Sequence, residues 1–184
     1  MDKKEVLLTL ARGAIAEVFG QKRLDKEAIL KAHPWLEKPG AAFVTLNRRE
    51  NGALRGCIGS LVAHRSLYDD IVKNAQSAAF SDPRFPALTP EEFDKITVEV
   101  SLLSKPKPLS YSSIDDLRSK IRPGIDGVIL KLGSYQATYL PQVWEPLPDF
   151  DVFFASLCQK AGLPGACLSQ HPEIFVYQVE EYHE

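Results

Sequence analysis

The segment Leu54-Arg55-Gly56-Cys57-Ile58-Gly59 gathers a thiol, a guanidinium and two glycines into six positions. Read as a strand, it alternates: Leu54, Gly56 and Ile58 share one face, and Arg55, Cys57 and Gly59 share the other. Leu54 and Ile58 are then expected in the core, with Arg55 beside Cys57. A guanidinium next to a thiol favours the thiolate and lowers its pKa. Glycines weaken a strand and usually mark a place where something approaches the backbone closely. Two readings stay open. Cys57 is an activated or ligand-facing thiol, or it is a small buried hydrophobe with Gly56 and Gly59 forming a bulge.

Asp82-Pro83-Arg84-Phe85 is the second candidate. Pro83 stiffens the turn, and Asp82 is suited to capping neighbouring amides. Arg84 either grips a carboxylate or phosphate in a bidentate pair or makes a structural salt bridge. Glu99 is the third. It is either a solvated carboxylate on an exposed sheet face or, if that face is covered, the partner of Arg55 or Arg84. Tyr139 and Trp144, in Thr138 to Trp144, either line a pocket or belong to the core.

Other chemistries have little support. His33, His64, His171 and His183 are scattered, and no HxH, HExxH or CxxC spacing occurs, so no metal site and no cofactor is expected. Cys57 and His64 fall on opposite faces of one continuous strand, so they pair only if the strand ends before His64. The patterns GxSxG, GxxxxGK[ST] and GxGxxG are absent.

The elements that must position these residues are legible in the apolar spacing. Asp2 and Glu5 suit a capping box, and Val6, Leu7, Leu10, Ala14, Val18 and Phe19 follow at helical spacing up to Gly20. A shorter helix follows Asp25 and ends before Pro34. Ala42 to Leu46 and Ala53 to Leu61 read as strands joined across Asn51-Gly52. Ser66 and Asp69 open an Ala-rich helix with Leu67, Ile71, Val72, Ala75 and Ala79 on one face, able to pack closely on a sheet. Thr89-Pro90-Glu91-Glu92 starts a short helix. From Lys95 to Leu103 the chain alternates, with Ile96, Val98, Val100 and Leu102 against Thr97, Glu99 and Ser101.

Ser112 to Lys120 is a weak helix. Val128 to Leu132 and Tyr135 to Leu140 form a second hairpin across Gly133-Ser134. Asp149 caps a helix carrying Phe150, Phe153, Phe154 and Leu157, with Gly162 as its stop. An apolar strand at about Ile174 to Val179 closes the chain and is a candidate edge for pairing between subunits in a homodimer. Hairpins mixed with helices define an α+β fold with a largely antiparallel sheet rather than a doubly wound one.

Composition narrows the class. The chain has 184 residues, 45% apolar and 25% charged, which is the ordinary globular balance. Lys plus Arg is 22 against 24 Asp plus Glu, a net charge of −2, which argues against a broad basic surface for nucleic acid. No apolar run reaches the roughly 18 residues that span a bilayer. Met1 to Glu5 lack the apolar region of a secretory signal, and the three cysteines, Cys57, Cys158 and Cys167, form no CxxC pair. A cytoplasmic chain with free thiols is expected.

These segments together resemble the AMMECR domain family, whose prokaryotic members are called AmmeMemoRadiSam system protein A. The resemblance is carried by Leu54 to Gly59, Asp82 to Phe85, the strand Ile96 to Leu103, Asp126-Gly127-Val128, Ala137 to Trp144 and Lys160-Ala161-Gly162-Leu163. They lie in the family's order and cover nearly the whole chain, residues 1–184, as a single domain. Many relatives carry His where Asp126 stands. The resemblance implies an α+β fold in two unequal lobes, with the Arg-Gly-Cys motif near a cleft between them. It also implies a setting beside a Memo-like protein and a radical SAM protein. In that setting Cys57 and Glu99 are the candidate catalytic residues. Arg55, Gly56, Gly59, Asp82, Arg84 and Tyr139 would contact an anionic small molecule. A noncatalytic adaptor or ligand-binding module is the alternative, and a nucleic-acid role comes third.

Overall fold

Asp2 and Glu5 close a reciprocal capping box, each side chain bonding the other's backbone amide, and so fix the start of α1 (Lys3–Val18). The computed structural model describes all of residues 1–184. They form two compact units. One is Met1–Leu103 together with Glu180–Glu184, and the other is Ser104–Val179.

In the first unit, α2 (Lys26–Ala32) and a 3-10 turn at Pro34–Glu37 lead from α1 into β1 (Ala41–Arg48) and β2 (Leu54–Gly59). The expected α3 (Leu67–Phe80) starts at Ser66, whose hydroxyl accepts the Asp69 amide. Thr89 and Glu92 form a second capping box at α4 (Pro90–Phe93), which feeds β3 (Ile96–Leu103). A last strand, β8 (Val179–His183), completes a four-stranded sheet in the order β2-β1-β3-β8.

The alternation of β1 and β3 gives the sheet two different faces. Ala42, Val44, Leu46, Ile96, Val98 and Val100 are buried and pack with Leu7, Leu10, Ala14, Ile71, Ala75 and Ala78 of α1 and α3. Each such large side chain contributes about 1.5–3 kcal/mol of transfer free energy. The stripe on α1 ends earlier than its spacing suggests, because Val18 is exposed. The small residues of α3 matter for Gly56: a Cβ there would stand 2.1 Å from the Ala78 carbonyl oxygen. Only glycine lets β2 and α3 approach this closely. Behind the sheet edge, the buried Asp70 carboxylate accepts from the Ala42 amide, Ser60, Arg65 and Asn74. These four donors satisfy a charge that would otherwise be costly to bury.

The second unit holds β4 (Lys107–Pro108), α5 (Ile114–Lys120), β5 (Gly127–Leu132), β6 (Tyr135–Tyr139), α6 (Phe150–Lys160) and β7 (Glu173–Tyr177). Its sheet runs β4-β7-β5-β6. The core is aromatic: Trp144 stacks on Phe153 at 3.6 Å between ring centroids, and Phe150 and Phe154 pack beside them. Gly162 ends α6 with φ of 86°, as expected for a glycine stop.

Three expectations are corrected here. Cys158 and Cys167 are joined in a disulfide, so Cys57 is the free thiol. Residues nine apart met because the turn after α6 folds back on the helix, which spacing alone does not reveal. Such bonds belong to oxidising compartments and to intracellular proteins of hyperthermophilic archaea. The strand expected at Ile174 to Val179 is split between two sheets. Its apolar part, β7, pairs with β4 and β5 on its two sides and offers no edge to a second subunit. Leu54, expected in the core, is 38% exposed at the start of β2. No helix is long and apolar enough to cross a membrane.

Candidate functional site

Thr45 lies directly opposite Cys57 on β2 and directly opposite Glu99 on β3. The three side chains therefore form a row across the strands, on the sheet face turned away from the buried valines and leucines. All three are half-buried. Thr45 Oγ1 is 3.2 Å from Cys57 Sγ. The row continues onto β8, where His183 Nδ1 is 3.1 Å from Glu99 Oε2. Gly59 is on the same face, beneath the Phe43 ring: a Cβ there would stand 2.1 Å from that ring.

The Asp-Pro-Arg-Phe loop borders this row by gripping the outer edge of β2. Asp82 Oδ2 accepts the Cys57 amide at 3.0 Å, and Arg84 Nη2 donates to the Cys57 carbonyl at 3.4 Å. Asp82 Oδ1 also accepts the Arg84 amide, and the two side chains pair at 2.8 Å. The Arg84 guanidinium, aided by the two amides, holds the buried Asp82 carboxyl far below the usual carboxylate range. Asp82 in turn pushes the Arg84 pKa up.

Cys57 behaves differently from the sequence reading. Burial pushes its thiol pKa up, the Glu99 and Asp82 charges add to that, and Thr45 and Arg84 only partly offset it. The thiol is therefore protonated at neutral pH. Arg55, expected to activate it, is turned elsewhere. The β1–β2 register slips between Leu46 and Asn47, so that Leu46 faces Gly56 while Asn47 faces Leu54. Arg55 is the extra residue of a bulge, and a bulge re-aims its side chain.

The Arg55 side chain is 1% exposed and is bound bidentately by Glu92, at 2.7 and 3.2 Å. It also donates to the Pro86 carbonyl. Phe85 lies 5.6 Å from both the Arg55 and the Arg84 guanidinium carbons. The two motifs thus interlock: one loop fixes the Cys57 backbone with its Asp and Arg, and packs its Phe against both arginines.

Of the sequence candidates, Cys57, Gly59, Asp82, Arg84 and Glu99 come together around the row. Glu99 pairs with His183, not with Arg55 or Arg84, because β8 lies beside β3. Arg55 and Gly56 serve the opposite side, toward α4 and α3. His64 Nδ1 is 3.1 Å from Val62 O in its own loop. Tyr139 belongs to the second unit, where its hydroxyl is 2.7 Å from Ser156 and its ring meets Phe153 edge-on. It and Trp144 are packed there as core aromatics.

Sequence reasoning missed three participants. Thr45 is recoverable from the hairpin register once the bulge is known. Glu92 was read only as a helix cap. His183 carried no signal, since its strand lies about eighty positions from Glu99.

Fold and site define a small α+β protein of two units, with a cysteine–threonine–glutamate row on one sheet face. The AMMECR1 family model matches residues 8–182. A Methanothermobacter thermautotrophicus protein is 41% identical over 100% of this chain and 95% of its own length. A Thermococcus gammatolerans protein is 39% identical over 98% of this chain and 89% of its own. The crystal structure of uncharacterized protein PH0010 from Pyrococcus horikoshii is 36% identical, with a TM-score of 0.83 over 100% of this chain and 93% of that one. The chain belongs to the AMMECR1 family.

Proposed function

We propose that the chain carries a thiol-centred small-molecule site on the half-buried polar face of its first sheet, as the A component of a system with a Memo-like protein and a radical SAM protein. The observation that carries the site is the row Cys57–Thr45–Glu99–His183, bordered by Arg84. The family resemblance supports the setting.

A substrate seated over Thr45 has the thiol on one side and a carboxylate on the other. Cys57 Sγ adds to the carbon of a substrate carbonyl: the S–H bond gives up its proton to the Thr45 hydroxyl, which passes its own to the carboxylate of the facing Glu99, while the C=O π pair moves to the carbonyl oxygen beside Arg84. His183 orients the Glu99 carboxylate. Arg84 commits Nε and Nη2 to Asp82 and Cys57 and keeps Nη1 for an anionic group of the substrate. Because the resting thiol is protonated, the reaction needs this carboxylate as proton acceptor. Any iron–sulfur chemistry belongs to the radical SAM partner.

The second reading is a noncatalytic adaptor or ligand-binding module. It is favoured by the upward-shifted thiol and by the internal pairing of Arg55 with Glu92 and Arg84 with Asp82. The reconstituted three-component system separates the two readings. Cys57→Ser is expected to abolish turnover while retaining association with the partners. Full turnover with unchanged product would remove Cys57 from the chemistry.

A further inference from the structure

A cavity of about 490 Å³ opens at the hairpin end of the first sheet, within the first unit. Its walls carry Arg48, Arg49 and Lys95 against Glu50, Glu92 and Asp94. The balance of formal charge is misleading, because these groups are not equally free.

Glu92 is already neutralised. It accepts both Nε and Nη2 of the buried Arg55 and caps α4 through the Thr89 amide. Arg55 even holds a donor in surplus, since its buried Nη1 has no hydrogen-bond partner. Arg48 stands 3.8 Å from Glu92, too far for a hydrogen bond. Arg49 gives one N–H to the Ile96 carbonyl at 3.1 Å, which fixes the guanidinium, and its charge also acts on the Glu184 carboxylate. Lys95 is exposed and makes no ion pair. Glu50 and Asp94 are exposed, and the acidic groups do not converge into a cation-holding cluster. With Glu92 offset by Arg55, the cavity presents two guanidiniums and an ammonium with spare donors against two exposed carboxylates, Glu50 and Asp94, a balance of one positive charge.

We propose that this cavity binds a phosphate group carried by a small molecule. Arg48 and Arg49 supply fork-shaped donors matched to phosphate oxygens, and Lys95 supplies a point charge. The volume is within the range of small-ligand pockets and exceeds what a bare phosphate fills. Glu92, held by Arg55, forms part of the cavity wall. This assigns Arg55, one of the sequence's most prominent residues, a role behind the cavity wall. The inference does not depend on the thiol reading.

The test is calorimetric titration of the full chain with pyrophosphate and glycerol phosphate, with amide NMR to locate binding. Saturable binding is expected, with shifts confined to residues around Arg48 and Lys95. Arg48→Ala and Lys95→Ala, both changes at partly or fully exposed side chains, should each weaken it roughly tenfold. Lys131→Ala in the second unit should leave it unchanged. Absence of saturable binding by either phosphate, or equal affinity in all three variants, overturns the proposal. So does single-stranded RNA binding through Arg48 and Lys95 when neither small phosphate binds. Cys57 labelling measures the thiol site separately, so the failure of one reading is distinguishable from failure of the other.

Discussion

Asp82 treats Cys57 as a neighbouring strand would. Its carboxylate accepts the outward amide of Cys57 at 3.0 Å, and the Arg84 that it anchors returns a donor to the Cys57 carbonyl at 3.4 Å. An acceptor and a donor two residues apart thus close the backbone valences of an edge strand. The thiol-bearing residue is held rigid from the side opposite β1.

Removing this clamp should cost stability. Asp82→Ala leaves the Cys57 amide without its acceptor and frees Arg84 into solvent. A loss of about 2–3 kcal/mol is expected in chemical denaturation. The clamp also predicts a pH dependence. Asp82 has its pKa lowered on folding, so its contribution is complete above the unfolded value near 3.9 and is lost as pH falls toward the folded one. Wild type should lose more stability than Asp82→Asn on acidification below about pH 4. Parallel curves for the two proteins would contradict the ionised clamp.

Cys57 should alkylate slowly at neutral pH. Its labelling by iodoacetamide should rise with a midpoint above the ordinary cysteine value of about 8.5. Glu99→Gln removes a charge that opposes the thiolate and should lower that midpoint. Thr45→Val removes a hydrogen bond that favours the thiolate and should raise it. Opposite signs for the two variants are the outcome to look for.

The two glycines of the motif should differ. At Gly56 an added methyl meets the Ala78 carbonyl oxygen, so β2 or α3 must move. At Gly59 it meets the root of the Phe43 ring, a side chain rather than backbone, so relief needs the whole ring to swing about χ1. Gly56→Ala should cost about 3 kcal/mol or more, and Gly59→Ala about 1–2 kcal/mol. Thermal melts of the two variants measure the ordering.

Cys158→Ser should destabilise the second unit by about 2–3 kcal/mol, from the chain entropy of a short loop. The bonded cysteines are nine residues apart. Hydrogen exchange should show the loss around α6 and β7, with the β1–β3 amides unaffected.

Local signals were enough for most elements. Asp2 with Glu5, Thr89 with Glu92, Ser66 and Asp149 each start the helix their side chains suggest, because a cap is satisfied within three or four residues. The alternation from Ile96 to Leu103 correctly separates the core-facing residues Ile96, Val98 and Val100 from the half-buried Thr97 and Glu99 on the other face. The candidates Cys57, Asp82, Arg84 and Glu99 were visible by type.

Their partners were not. Arg55 was expected beside Cys57 because strict alternation puts it there, and one bulge residue sends it to Glu92. Glu99 finds His183 because the chain's last strand returns to the first sheet after a whole second unit. Cys158 meets Cys167 through a tertiary turn. The sequence by itself determined the elements, the face of each strand and the residues able to do chemistry, since these depend on neighbours a few positions apart. Register, the bulge and every long-range ion pair were decided by tertiary structure alone, because they depend on which strands pair and where the backbone slips.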